Sequence, residues 1–129
     1  MTENEISKII VDACYRIHSQ LGPGLFESVY EKILVIELEK AGLKVFSQVT
    51  IPVIWDNIQI DQGIRADLIV NYKVIVEIKS VEAISPVHHK QLLTYLRLTD
   101  MKLGLLINFN EKLIKEGITR IVNNLKFGF

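Results

Sequence analysis

Thiol chemistry is nearly absent from this chain, which has one cysteine, Cys14, in 129 residues. A single thiol cannot close an internal disulfide, and no cluster exists to hold zinc. Cys14 falls in the apolar stripe of a predicted helix and reads as an inert buried thiol. Net charge is absent too, since 15 basic residues balance 15 acidic ones. No global positive field draws in nucleic acid, so a polyanion has to be held by local basic groups or by a metal. That argues against a high-affinity non-specific DNA binder and leaves a metal-dependent enzyme open. No apolar run approaches the roughly 20 residues that span a bilayer. The start, Met-Thr-Glu-Asn-Glu, is acidic and lacks the regions of a signal peptide. The expectation is a reduced, cytoplasmic protein without a membrane partner. What is present is ordinary for a globular fold: 49% hydrophobic and 23% charged residues, which excludes disorder. The length suits one domain over residues 1–129 with one continuous core.

Thr2 and Glu5 have capping-box spacing, and Ile6, Ile9, Ile10, Ala13, Cys14 and Ile17 follow at helical intervals. Leu21-Gly22-Pro23-Gly24 breaks that helix. A second helix is predicted with Phe26, Val29, Tyr30, Ile33, Leu34 and Ala41 inward, ended by Gly42 in the left-handed conformation. The period then changes to two. Val49, Ile51, Val53 and Trp55 alternate into an Asp56-Asn57 turn and Ile58–Ile60. Pro52, lacking an amide donor, places this hairpin at a sheet edge. Ala66–Val70 and Lys73–Lys79 are short Ile/Val-rich strands. Ser85-Pro86 opens a third helix running to about Thr99, and Leu103–Phe109 reads as a buried strand. Strand, helix and strand in that order imply a parallel pair with a right-handed crossover. Leu113–Val122 is ambiguous between strand and helix. The class is mixed α/β, a central sheet flanked by helices.

The chemistry concentrates in Arg65–Val70 and Val74–Lys79. Glu77 and Lys79 are two apart and share one face of a strand. A three-residue loop, Asn71 to Lys73, sets Val70 opposite Val74 and Asp67 opposite Glu77; a two-residue loop puts the two carboxylates on opposite faces. In the first register the acids repel by a few tenths to about 1 kcal/mol, a penalty that a bound cation removes. Oxygen ligands without thiols favour magnesium, with manganese the alternative. Taken alone, D…ExK is far more often a pair of solvated strand ends with a surface ion pair. Glu37 lies in the inward stripe but is ten residues from Glu27, about 15 Å along a helix, so it reads as a structural acid paired with a buried donor. His88, Gln91 and Tyr95 share one face of the third helix. His18 stands alone and His89 points elsewhere, which argues against a histidine metal site. Trp55 and Phe109 read as hairpin or core residues.

Gly24-Leu25-Phe26-Glu27-Ser28-Val29-Tyr30 is a Gly-x-x-Glu-x-x-Tyr motif. With Arg65-Ala66-Asp67, Val76-Glu77-Ile78-Lys79 and Pro86-Val87-His88…Gln91…Tyr95, the chain resembles the GxxExxY protein family, placed in the PD-(D/E)xK, restriction-endonuclease-like superfamily. The ordered set is specific where each motif alone is weak. It covers nearly all the chain, from about Ile9 to Phe109. Ala66 stands where the superfamily has proline, a departure that touches no ligand. The resemblance implies an α/β/α core with the acidic hairpin at its centre and an edge β-hairpin. It further implies that Asp67, Glu77 and Glu27 hold magnesium or manganese, and that Lys79, Glu27 and Gln91 are catalytic. His88 and Tyr95 would orient phosphate or water, although a self-satisfied polar cluster explains them equally well. Glu27 otherwise reads as a first-turn acid favoured by the helix dipole.

The function expected on this basis is metal-dependent hydrolysis of phosphodiester bonds in nucleic acid, DNA in preference to RNA. A homodimer or protein partner would supply the missing basic surface. The competing expectation is a non-catalytic binding module that keeps the nuclease framework, and a third is an oligomeric structural protein joined through the edge hairpin.

Overall fold

The computed structural model describes residues 1–61 and 63–126. Helix α1 (Glu3–Leu21) starts at the expected capping box, with Glu5 N donating to Thr2 Oγ1 and Thr2 N to Glu5 Oε1. It buries Ile6, Ile10, Ala13, Cys14 and Ile17, and burial pushes the Cys14 thiol well above its ordinary range. Helix α2 (Glu27–Lys40) buries Tyr30, Leu34 and Leu38. Three expected inward residues lie outside: Phe26 is 82% exposed, and Val29 and Ala41 are also at the surface. Phe26 is the extended N-cap and Ala41 follows the last turn, so neither obeys the helical wheel, while Val29 lies in the first turn, on the side away from the buried Tyr30, Leu34 and Leu38. Gly42 does take a positive φ, +86°, past the helix end. Glu37 pairs with Arg16 at 3.6 Å and Lys40 at 3.3 Å, both substantially exposed, so its donors are not buried.

Among the described residues seven strands follow the first two helices. They are β1 (Val45–Thr50), β2 (Val53–Trp55), β3 (Ile58–Ile60), β4 (Arg65–Val70), β5 (Val74–Lys79), β6 (Leu103–Asn108) and β7 (Ile118–Val122). Five form one sheet in the order β1-β4-β5-β6-β7; β5 and β6 are parallel, joined across helix α3 (Pro86–Thr99), and the other neighbours in it are antiparallel. The sheet flanked by helices is the expected mixed α/β architecture. The segment 113–122 contains both alternatives that its pattern allowed, a single turn of helix, α4 (Ile114–Gly117), and then β7. The Asp56-Asn57 turn has positive φ at both residues, as a two-residue hairpin demands. That hairpin, β2–β3, is a separate two-stranded sheet. Ile51 is buried, its N–H donating to Ile64 O, and Pro52 lies in the two-residue connection between the edge strand β1 and β2.

Two apolar clusters lie on the two faces of the sheet. Leu68, Val70, Val74, Val76 and Ile78 pack with α1 and α2. Ala66, Ile69 and Ile75 pack with Leu92, Tyr95 and Leu96 of α3. Among the described residues no helix is long and apolar enough to cross a membrane.

Candidate active site

The loop between β4 and β5 decides the register. It has three residues, with Asn71 and Tyr72 at positive φ and Lys73 N donating to Val70 O. Asn tolerates the left-handed region, and Asn71 is also tied to the start of β1, its Oδ1 accepting from Lys44 N at 2.8 Å. Val70 therefore faces Val74, and the ladder continues to Leu68 opposite Val76. One step further the acids take over from the backbone. Glu77 Oε2 accepts from Asp67 N at 2.6 Å, and Asp67 Oδ2 accepts from Ile78 N at 2.8 Å. Each carboxylate thus caps the opposite strand where the ladder ends.

The pair is unequal electrostatically. Glu77 is 6% exposed, and burial, followed by the nearby Asp67 charge, pushes its carboxyl up to about 8. The Asp67 N–H and the Lys79 charge oppose that rise. Lys79 is half-buried at the end of β5 and makes no ion pair within 4 Å among the described residues. Tyr95 is buried on α3, and its phenol is raised by burial and then by the Glu77 and Asp67 charges, which puts it within the field of the pair.

A residue that the motifs did not single out joins this group. Glu31 lies one turn after Glu27, and Gln48 Nε2 donates to Glu31 Oε1 at 2.8 Å while reaching Asp67 Oδ1 at 3.4 Å. Burial and the Asp67 charge raise the Glu31 carboxyl; the Gln48 hydrogen bond opposes them. Gln48 itself has φ +51°, rare for a non-glycine residue and rarer in a strand. Ser47 still pairs with Leu68 and Val49 with Ala66, while Gln48 drops out of the ladder. The distortion reverses the strand's faces, so that Val45 packs with the α1/α2 cluster and Val49 with the α3 cluster.

Glu27 sits elsewhere. Its Oε1 accepts from Ser80 N at 3.3 Å, just beyond β5, while Ser80 Oγ donates to Leu25 O. The Gly-x-x-Glu-x-x-Tyr stretch is a built corner. Tyr30 Oη donates to Gly22 O at 2.6 Å and accepts from Leu25 N, its ring stacked on Phe109 at 4.4 Å. On the other side Asn108, fully buried, accepts from Val81 N and Asn110 N and donates to Val81 O, fixing the chain that follows Lys79. Of the α3 residues, Gln91 is exposed one turn before Tyr95. The His88 Nδ1 accepts from Ser85 N, so this ring caps its own helix.

Among the described residues no three histidine, cysteine, aspartate or glutamate side chains form a group able to hold a metal, so the expected trio with Glu27 is not assembled. The Asp67–Glu77 pair still fits a hard divalent ion. One oxygen of each carboxylate is committed to a backbone N–H, the other oxygen has no backbone donor, and magnesium binds through one or two carboxylates while keeping several waters. A cleft of about 380 Å³ opens beside Asp67 between Gln48, Thr50, Asp61 and Arg65.

The β4–β5 ladder thus ends in crossed carboxylates, with Lys79 two residues beyond Glu77 on the same strand. The model of the PD-(D/E)XK nuclease superfamily matches residues 4–121, and the chain belongs to that superfamily. Comparison with curated proteins and with solved structures gave no significant match.

Proposed function

We propose that this protein is a magnesium-dependent nuclease of the GxxExxY group, hydrolysing phosphodiester bonds of nucleic acid, with DNA the first substrate to test. The observation that carries this reading is the crossed Asp67–Glu77 pair, in which Glu77 is held with a raised pKa beside an unpaired Lys79. A buried acid pushed towards its neutral form by a facing acid is a site that gains from a cation. Asp67 and Glu77 would hold the ion, with Glu31 brought towards Asp67 by Gln48. When bound, a divalent ion acidifies a water and offsets charge on the phosphate.

The remaining work falls to the chain's own groups. Lys79 orients the attacking water and stabilises negative charge as it develops on the phosphate, as a fixed cation does without reorganisation. Gln91, on the same face of α3 as Tyr95, orients water or a phosphate oxygen. The Tyr95 phenol, its pKa raised by burial and then by the Glu77 and Asp67 charges, donates a hydrogen bond into the site. Glu27 acts at one remove: by holding Ser80 N it fixes the exit of β5 and with it the Lys79 side chain.

The test is cleavage of single strands, duplexes, flaps and junctions of DNA and RNA with magnesium or manganese. Cleavage that needs metal and is lost in both Asp67→Ala and Lys79→Ala supports the proposal. Activity surviving both substitutions refutes it. A second reading, a binding module without catalysis, is favoured by the exposed apolar hairpin, where Ile54, Trp55 and Ile58 are 65%, 75% and 63% exposed. Calorimetry separates the two, because a scaffold has no need to bind magnesium.

A further inference from the structure

A neutral chain with an acidic centre has to find positive charge for its substrate locally, and Lys79 is engaged at the reacting phosphate. Arg65 is the cation that lines the cleft opening from Asp67. It is exposed at the start of β4, paired through its backbone with Thr50, and no carboxylate lies within ion-pair distance of its guanidinium among the described residues. Its field nevertheless reaches the site, since it is one of the charges acting on Glu31. Two residues along a strand separate Arg65 from Asp67, about 6.5 Å, comparable with the spacing of successive phosphates on one nucleic-acid strand. A planar, permanently charged fork suits a phosphate better than an ammonium does.

Resting on the nuclease reading, we infer that the cleft carries the substrate strand past Asp67, that Arg65 holds the phosphate next to the scissile one, and that Asp61 on the same cleft limits how tightly it is held. Asp61 is exposed and accepts from Gln59 Nε2 at 2.7 Å, so its charge remains in the cleft. The two residues therefore predict effects of opposite sign on one ligand, which a purely structural role for Arg65 does not.

The experiment measures binding of a short fluorescent single-stranded DNA, and of its RNA counterpart, in calcium, alongside cleavage in magnesium. Melting curves verify that each variant is folded. Arg65→Ala should weaken binding about tenfold, roughly 1.4 kcal/mol, raise KM, leave kcat near wild type and reduce the salt slope by about 0.7 for one lost phosphate contact. Arg65→Lys should recover part of the loss, and Asp61→Asn should tighten binding several-fold. A folded Arg65→Ala protein that binds like wild type, or one that loses kcat at unchanged affinity, overturns the inference while leaving the nuclease reading intact. If Asp67→Ala changes neither metal binding nor cleavage, the nuclease reading itself fails. The DNA and RNA arms show which backbone the cleft prefers.

Discussion

Glu77→Gln is the perturbation that probes the site most directly, through stability. In the folded protein the Glu77 carboxyl titrates at about 8, against 4.5 for a free glutamate. Between these values the folded state keeps a proton that the unfolded state has released. Stability then falls as pH rises, by about 1.4 kcal/mol per pH unit while the difference lasts. Below pH 4.5 both states are protonated and nothing is lost; above about 8 both are ionised and the loss is complete. Across the window the loss reaches roughly 5 kcal/mol, a large part of the stability of an ordinary domain. Glutamine cannot ionise and still offers an oxygen to Asp67 N. Urea denaturation of wild type and Glu77→Gln from pH 5 to 9 should therefore give curves that begin close together and diverge, the variant becoming more stable by several kcal/mol at the alkaline end. Magnesium should narrow that gap by about half at pH 8, adding about 2.7 kcal/mol to wild type at about 100 times its dissociation constant and little to the variant. Curves that remain parallel across the whole range would refute the argument that burial and Asp67 hold Glu77 neutral.

Four further outcomes are expected. Lys79→Ala should lower kcat by roughly 10²–10³ with melting unchanged, as single-turnover cleavage and calorimetry will show. Gln48→Gly should weaken metal binding in a calorimetric titration while raising stability by up to about 1 kcal/mol, because glycine accepts the left-handed conformation that glutamine is forced into. Asn108→Ala removes three hydrogen bonds inside the core and should cost about 2–4 kcal/mol in urea. Gly117→Ala should cost about 3 kcal/mol, since a Cβ there would lie 2.3 Å from the Asn108 carbonyl oxygen.

Most of the scaffold was legible because its signals are local. The Thr2/Glu5 cap, the Ser85-Pro86 helix start and the Asp56-Asn57 turn each rest on a few adjacent residues, the parallel crossover on a strand, helix and strand in succession, and the structure has all four. The register of the acidic hairpin was narrowed to two choices and no further, because it depends on Tyr72 accepting a positive φ that its residue type disfavours. Glu31 was passed over for Glu27, although a spacing of four on one helix face was available as a signal. What brings Glu31 in is Gln48, a strand residue whose left-handed backbone no local pattern announces. His88 illustrates the reverse case: helical spacing grouped it with Gln91 and Tyr95, but its ring nitrogen is taken up by its own helix start.

The reversal at Gln48 has a consequence for life in a crowded solution. β1 is an outer strand of the five-stranded sheet, and a long flat outer strand offers a row of free donors and acceptors to any passing chain. Gln48 divides that row into two short runs facing different layers of the protein. The break interrupts the row of donors and acceptors and twists the strand there, so the distortion beside the candidate site also makes this border a poorer template for aggregation.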